Sequence, residues 1–445
     1  MNDIKQIPLF IPKSELQRVI IIGSGFAGLQ LAKKLEKDKF QVVILDKNNF
    51  HQFQPLLYQV ATSGLEPDSI VFPTRKIVRS LKNIFFRMAE VIEIVVDDKY
   101  VKTDKGYVEY DYLVIATGST NNFYGMKDVE ENSVGLKSIH EALAIRSLIL
   151  QNLETAVDVA LEEEKKINTT IVIVGAGPAG VEMAGALAEF KKYVYPKDYS
   201  ELKGYPLNIH LISASSKVLP MLSDKSSTHS LRDLKKLKVN VQLSVSVTSY
   251  DGVNVKLSNG EIIKSTNLIW TAGVKGSFPK GLPPAIIQKG NRIEVNQFNK
   301  IKGCKNVFAI GDVSFMMVNN YPNGHPMVAP VAIQQGGNLA KNLLKQQEEW
   351  EPFMYNDKGS LATIGKKSAV ADFGKLHISG IIAWLIWSTV HLMSISGFKN
   401  KLAVGLNWAS GYFTYDKGNR LIIRKFKRRK EFECITNEEF SKAEV

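Results

Sequence analysis

The sequence predicts an α/β protein in which one βαβ unit occurs twice, followed by a smaller C-terminal region. Three observations predict it. Residues 18–35 read RVIIIGSGFAGLQLAKKL and residues 171–188 read IVIVGAGPAGVEMAGALA. Both are a β-branched run, a GxGxxG and a helix of small residues, the signature of an internal duplication. Each opening run is apolar throughout, as in a strand buried on both faces of a parallel sheet. The length of 445 residues exceeds one ordinary core, so two or three domains are expected.

The elements follow in order. After the first strand a helix runs to about Lys37, and a second strand over 41–45 ends at Asp46. Alternation at 91–96, 100–103 and 107–109 predicts strands, and DYLVIATGS (111–119) an apolar strand entering a glycine turn. The charged stretch 158–166 reads as a solvated helix face. Strands are expected at 209–213, 239–249, 253–257 and 266–270, the last entering TAGVKG (271–276). NVFAIGDVS (306–314) is a strand ending in an acid, and 331–350 reads as a helix. From about Asn356 the character changes. KGSLATIGKKSAVADFG reads as a hairpin, then come the aromatic-rich 381–415 and a basic tail. The expected domains are 14–125 with 276–352 for the first nucleotide fold, 126–275 for the second, and 353–445 for the C-terminal region.

Composition narrows the function. A 44% hydrophobic and 23% charged chain is ordinary for a folded protein. The net charge of +13 points to an anionic partner: nucleic acid, an acidic lipid surface or a phosphate-bearing cofactor. No nucleic-acid motif stands out, which argues against nucleic acid. The two cysteines, Cys304 and Cys434, form no CxxC. That speaks against a disulfide scaffold, a cysteine metal site and internal dithiol chemistry, so electrons must travel through a cofactor. No metal site is expected. The N-terminus lacks the pattern of a signal peptide. The longest apolar run, 381–393, falls short of the roughly 20 residues of a membrane span.

The glycines carry the chemistry. Gly23 allows a tight turn, Gly25 lets a pyrophosphate approach the backbone, and Gly28 lets helix and strand pack closely. Phosphate oxygens then meet free N–H groups at the positive end of the helix. Asp46 closes the next strand, where a carboxylate accepts hydrogen bonds from a ribose. Gly175, Gly177 and Gly180 repeat the logic, but Ser213 stands where the acid is expected. An acid there repels a 2′-phosphate; Ser213, Ser215, Ser216 and Lys217 do not, which leaves NADH and NADPH both open.

The order GxGxxG, ATG (Ala116, Thr117, Gly118), GxGxxG, TAG (Thr271, Ala272, Gly273) and GD (Gly311, Asp312) resembles the two-dinucleotide-binding flavoproteins. The closer resemblance is to type II NADH dehydrogenases, the single-chain NADH:quinone oxidoreductases. It is carried by NFHQFQPLLYQVATSGL (49–65), GVEMAGALAE (180–189), WTAGVKGS (270–277), APVAIQQG (329–336), DKGSLATIGKKSAV (357–370) and GxxAWLxWxxVHL within 380–392. It runs from about Arg18 to Ile423, nearly the whole chain.

The resemblance implies two Rossmann-like dinucleotide-binding domains in a glutathione-reductase-like arrangement, plus a C-terminal membrane-associating region. FAD would lie on the first fold, held by the first glycines with Phe26, Ala27, Asp46, Lys47, Val91, the ATG, Gly311, Asp312 and Ala329. NADH would lie on the second, held by the second glycines with Pro178, Ala179, Ser213 and the TAG. The implied activity is respiratory-chain electron transport: oxidation of NADH and two-electron reduction of a membrane quinone without proton pumping. Glu182 would be the acid/base or nicotinamide anchor, with Glu189 a lesser acid seven residues on. The family's quinone motif AQxAxQ reads here Ala329-Pro330-Val331-Ala332-Ile333-Gln334. Pro330 removes the first glutamine; Gln334 keeps the second as a quinone contact.

A quinone reductase without a spanning helix must dock on the bilayer, expected on its cytoplasmic face. Residues 381–393 with Trp408, Tyr412, Phe413 and Tyr415 would supply interfacial surface. Arg424, Lys425, Lys427, Arg428, Arg429 and Lys430 would supply charge for anionic lipid. A homodimer is the alternative use of the apolar part. The runners-up are a flavin-dependent NAD(P)H reductase serving a protein acceptor and a redox-sensing flavoprotein. Sulfide:quinone and glutathione-reductase-like chemistry is disfavoured by the missing cysteine pair.

Overall fold

The computed structural model describes residues 7–35, 39–160, 167–414, 418–422 and 426. The chain divides into two compact units. One comprises Met1–Gln52, Val71–Thr120 and Val274–Lys358; the other comprises Phe53–Ile70, Asn121–Gly273 and Gly359–Val445.

The first unit is built on a five-stranded parallel sheet in the order Val307–Ala309, Tyr112–Ile115, Gln17–Ile22, Phe40–Asp46, Ile84–Met88. Successive side chains on a strand point to opposite faces. Ile20, Ile22, Val43 and Leu45 therefore fill one apolar cluster while Val19, Ile21, Val42 and Ile44 fill another. Burial on both faces explains the uninterrupted apolar runs. The glycine helix Phe26–Lys34 packs against Ala329–Leu343, where Gly336 permits close contact: a Cβ there would meet Ala27 O at 2.5 Å. The helix expected over 331–350 ends at Leu343. A separate turn, Gln347–Glu349, follows because Gln346 and Glu349 close a capping box that starts a new element.

In the second unit the parallel sheet runs Val134–Gly135, Asn267–Trp270, Ile171–Val174, Ile209–Ser213, Asn240–Leu243. The single strand expected over 239–249 is two. Asn240–Leu243 belongs to this sheet, and Val247–Tyr250 joins an antiparallel sheet with Asn254–Leu257 and Ile262–Lys264. Ser244, at a left-handed φ of 58°, turns the chain between them. The helix Ile139–Ala160 leads toward the charged stretch, of which 161–166 lies outside the described residues.

The C-terminal region, read from the sequence as a body of its own, clusters with the second unit. Its expected hairpin is a three-stranded meander, Ser360–Gly365, Ser368–Phe373 and Leu376–Gly380. The first strand lies on helix Pro178–Tyr193, and Gly185 makes the approach possible: a Cβ there would sit 2.0 Å from Ile364 O. Asp372 on the middle strand accepts from Ser223 N–H at 2.7 Å and from Ser226 Oγ–H at 2.6 Å, which ties the meander to helix Asp224–Lys236. Helices Ile381–Ser394 and Phe398–Thr414 complete the unit. Among the described residues no helix is long and apolar enough to cross a membrane.

Candidate active site

The carboxyl ends of strands Gln17–Ile22, Phe40–Asp46 and Tyr112–Ile115 bring Gly23, Asp46 and Ala116 together, at the point where the strand order reverses. A Cβ on Gly23 would meet Ala116 O at 2.4 Å, and one on Gly28 would meet Gly23 O at 2.0 Å. At Gly25 nothing lies within 4 Å, and the helix it opens has no side-chain cap. Open space over uncapped helix amides is the shape a pyrophosphate fits. Asp46 Oδ2 accepts from Ser24 N–H and Ser24 Oγ–H, both at 2.7 Å, and Oδ1 from Asn48 N–H at 2.8 Å. Each oxygen keeps lone-pair capacity for a ribose hydroxyl. His51 donates from Nδ1 to Ser24 O at 3.0 Å, and burial holds its pKa below the usual imidazole range. Ser24 and His51 were not legible as site residues: their partners lie more than twenty residues away.

The remaining first-fold candidates are placed as follows. Lys47 is exposed beside Asp46, and Val91 is buried at the start of an antiparallel strand. Thr117 Oγ1–H donates to Ser277 O, and Gly118 turns at a φ of +72°. Asp312 Oδ2 accepts from Ser119 Oγ–H at 2.5 Å. The Gly311 turn is held by Gln335, whose Oε1 accepts from Gly311 N–H at 2.7 Å. Gln335 is fully buried, and its Nε2 has no partner among the described residues. An orphaned amide beside this turn suits a group with acceptor atoms.

Residues 329–334 open the helix Ala329–Leu343. Ala329 opens a helix, and Pro330 sits in its first turn, where the missing N–H costs nothing. Gln334, the expected quinone contact, ties down the following segment. Its Nε2 donates to Asn356 O and its Oε1 accepts from Asn356 N–H, both at 2.9 Å. A side-chain amide paired both ways with one peptide unit is a structural clamp.

The second cradle repeats the first. A Cβ on Gly175 would meet Ala272 Cα at 2.7 Å and one on Gly180 would meet Gly175 O at 1.8 Å, while Gly177 faces open space. Helix Pro178–Tyr193 starts without a side-chain cap, with Pro178 and Ala179 in its first turn. Thr271 Oγ1–H donates to Val174 O at 2.8 Å, drawing two strand ends together. Gly273 lies against Tyr124, whose hydroxyl donates to Ala272 O at 2.9 Å. Ser213 Oγ accepts from Ser215 N–H at 3.2 Å, and Lys217 Nζ pairs with Asp224 at 2.7 Å.

The same helix also carries its acids into a cavity of about 120 Å³ within the second unit. Trp384, Trp387 and Trp408 wall it, with Tyr58, Thr363 and Lys366. Glu182 is 8% exposed, and its Oε1 accepts from Thr363 N–H at 3.4 Å. Among the described residues no cation pairs with it. Burial pushes its pKa up to about 8, so it is an acid rather than a carboxylate at neutral pH. The buried Trp387 indole N–H faces this group without closing a hydrogen bond. His391 donates from Nδ1 to Trp387 O at 2.7 Å and stacks on the Trp387 ring at 4.3 Å. Burial pulls its pKa down to about 4, which keeps it neutral. Glu189, the lesser acid in the sequence, lines the same cavity and accepts from Lys366 N–H at 2.5 Å.

Comparison with known proteins agrees with this geometry. Residues 17–336 match the family model "Pyridine nucleotide-disulphide oxidoreductase", and 358–414 match "NDH2 C-terminal domain". The type II NADH:quinone oxidoreductase Ndh of Mycobacterium tuberculosis is 35% identical over 91% of this chain and 90% of its own. The chain belongs to the type II NADH:quinone oxidoreductases. Like that family, it is an FAD-dependent enzyme that oxidises NADH and reduces a quinone. The Arabidopsis thaliana internal alternative NAD(P)H-ubiquinone oxidoreductase A1 is 28% identical over 90% of this chain and 85% of its own. In fold, this type II enzyme is similar to NDH2 of Plasmodium falciparum in complex with NADH, with a TM-score of 0.82 at 20% identity, covering 92% of this chain and all of that one. The likeness to a sulfide:quinone oxidoreductase of Aquifex aeolicus, with a TM-score of 0.65 at 18% identity, is one of fold.

Proposed function

We propose that Glu182 is the proton donor for quinone reduction, acting in the tryptophan-lined cavity, and that the enzyme reaches its apolar substrate by laying its two C-terminal helices on a bilayer. When bound, FAD supplies the two-electron relay between NADH and quinone. The protein's own residues do the rest. The first cradle, from Gly23 through Asp46 to Asp312, holds the flavin nucleotide, with Ala116, Thr117, Gly118 and Gln335 shaping its walls. The second, from Gly175 to Gly180 with Thr271 and Gly273, holds the pyridine nucleotide.

One observation carries the role of Glu182: a buried carboxyl lining a cavity, without a counter-ion among the described residues, and with its pKa pushed up to about 8. A quinone accepting an electron pair becomes an oxyanion and must be protonated. An acid whose pKa lies near the working pH both holds and releases that proton efficiently. Anaerobic stopped-flow tests it: NADH is added, flavin bleaching is followed, and a soluble quinone is then mixed in. Glu182→Gln is expected to retain FAD and to slow flavin reoxidation about 100-fold; wild-type reoxidation would dismiss the assignment.

A second reading concerns the nucleotide. Ser213 ends its strand without a carboxylate, so acceptance of NADPH alongside NADH is supported, and the same bleaching experiment with NADPH tests it. The docking reading rests on exposed apolar side chains: Ile382, Leu385 and Met393 on helix Ile381–Ser394, and Phe398, Leu402 and Leu406 on helix Phe398–Thr414. The side chains of Tyr412, Phe413 and Tyr415 lie outside the described residues, as does the basic stretch Arg424, Lys425, Lys427, Arg428, Arg429 and Lys430. The cytoplasmic face is proposed as the one that presents NADH.

A further inference from the structure

A dinucleotide laid over the second cradle has two halves to place. Its pyrophosphate belongs at the Gly175 turn, which ends strand Ile171–Val174. Strand Ile209–Ser213 flanks that strand on one side, and its end is where such folds hold the adenosine ribose. The nicotinamide half then falls on the other side, at the end of strand Asn267–Trp270.

The residue the chain fixes at that end is Tyr124. Residues 122–125 are fastened to the strand and to the turn after it. Trp270 Nε1–H donates to Asn122 O at 2.9 Å, and Asn122 N–H donates to Gly273 O at 3.0 Å. Phe123 packs on the Trp270 ring, with centroids 5.6 Å apart. The backbone of Tyr124 lies at a left-handed φ of 53°, which a bulky side chain rarely adopts. Asn122 holds it there: its Oδ1 accepts from Tyr124 N–H at 3.0 Å. The phenol is tethered by its tip, through the hydroxyl bond to Ala272 O at 2.9 Å. Ala272 is also the residue a Cβ on Gly175 would strike, so one residue joins the phenol to the phosphate turn. Gly273 leaves room for the ring, since a Cβ there would lie 2.2 Å from the Tyr124 hydroxyl oxygen.

With all these anchors Tyr124 remains 62% exposed. A ring held in a costly backbone conformation, fixed at both ends and left bare, adds little to the core. Strain of this kind gathers where a ligand is held.

We propose that the Tyr124 ring is the platform for the nicotinamide half of the nucleotide. The inference rests on the second cradle holding the pyridine nucleotide. An aromatic face offers apolar area at low entropic cost and carries negative partial charge. The nicotinamide ring is cationic in NAD⁺ and neutral in NADH. Tyr124 therefore holds the oxidised nucleotide more tightly than the reduced one, and sets how strongly product competes with substrate. The Tyr124 hydroxyl and Asn122 are positioning groups; the ring is the contact.

Calorimetric titration of the oxidised holoenzyme with NAD⁺ and with ADP-ribose tests it, because ADP-ribose keeps the adenosine and pyrophosphate but has no nicotinamide. Tyr124→Asn removes the ring and tolerates the left-handed backbone. It is expected to weaken NAD⁺ about 10-fold while ADP-ribose binds as in wild type. Competition against NADH should show a smaller loss for NADH than for NAD⁺. Tyr124→Phe keeps the ring and should bind NAD⁺ almost as wild type does. Should Tyr124→Asn fold poorly, Tyr124→Leu keeps bulk over Gly273 without an aromatic face and should show the same selective loss. Unchanged NAD⁺ affinity in the ring-less variants would overturn the proposal. So would an equal loss for NAD⁺ and ADP-ribose, which marks a structural role, or a Tyr124→Phe variant as weak as Tyr124→Asn, which assigns the effect to the hydroxyl. If ADP-ribose fails to compete with NADH in the wild type, the reading of the second cradle falls instead.

Discussion

Glu182 shows how one side chain reports on function through its cost. A carboxyl buried beside tryptophans, with one long N–H contact among the described residues, costs stability, and a chemical role would offset that cost. The cost has a sign that can be measured. The unfolded chain releases this proton near the ordinary value of 4.5, whereas the folded protein holds it to about 8. As pH rises through that window the unfolded state is favoured, by ~1.4 kcal/mol for each tenfold step in the ionisation ratio. Glu182→Gln carries no such ionisation. The melting temperature of the variant should therefore gain on wild type as pH rises from 4.5 to 8 and level off beyond. A constant difference across the range would show that the carboxyl ionises normally. Gln334 differs: a polar residue at a motif position with both amide atoms hydrogen-bonded to Asn356.

At the scale of elements, what could be read from the chain was what is local. The two cradles were legible because each needs glycines at fixed spacing between a strand and a helix, and Asp46 because it ends the next strand. The Gly311 turn was legible, but Gln335, which holds it, was not, since that contact spans 24 residues. The cavity was invisible as such. The tryptophans of 384–408, the glutamates of 182–189 and Tyr58 come from distant segments that only the packing unites. Spacing did place Glu189 on the face of Glu182, and both line the cavity. Gly185 gives an element-scale prediction. Gly185→Ala would push the meander off helix Pro178–Tyr193, because its Cβ would lie 2.0 Å from a backbone oxygen. Overpacking of this kind costs about 1–3 kcal/mol. Scanning fluorimetry should show a lower melting temperature with FAD content retained; an unchanged value would mean the strand yields freely.

At the scale of the whole molecule the exposed apolar helices are the proposed docking face. Leu385 and Leu406 are 54% and 61% exposed. Burying such side chains in lipid is worth about 1.5–3 kcal/mol each. Leu385→Glu with Leu406→Glu should lower co-sedimentation with anionic vesicles about 100-fold while NADH oxidation with a water-soluble quinone persists. Retained sedimentation would locate the anchor elsewhere, and a shift from dimer to monomer in the variant would assign the face to a second copy. Helix Pro178–Tyr193 offers a last consequence. Its first turn forms the floor of the cradle proposed for the pyridine nucleotide, and its next turns present Glu182 and Glu189. On the proposed assignments, grip and proton supply are mounted on one unbroken rod. Any tilt a dinucleotide imposes at one end must register at the other, and no hinge residue is needed to carry the message.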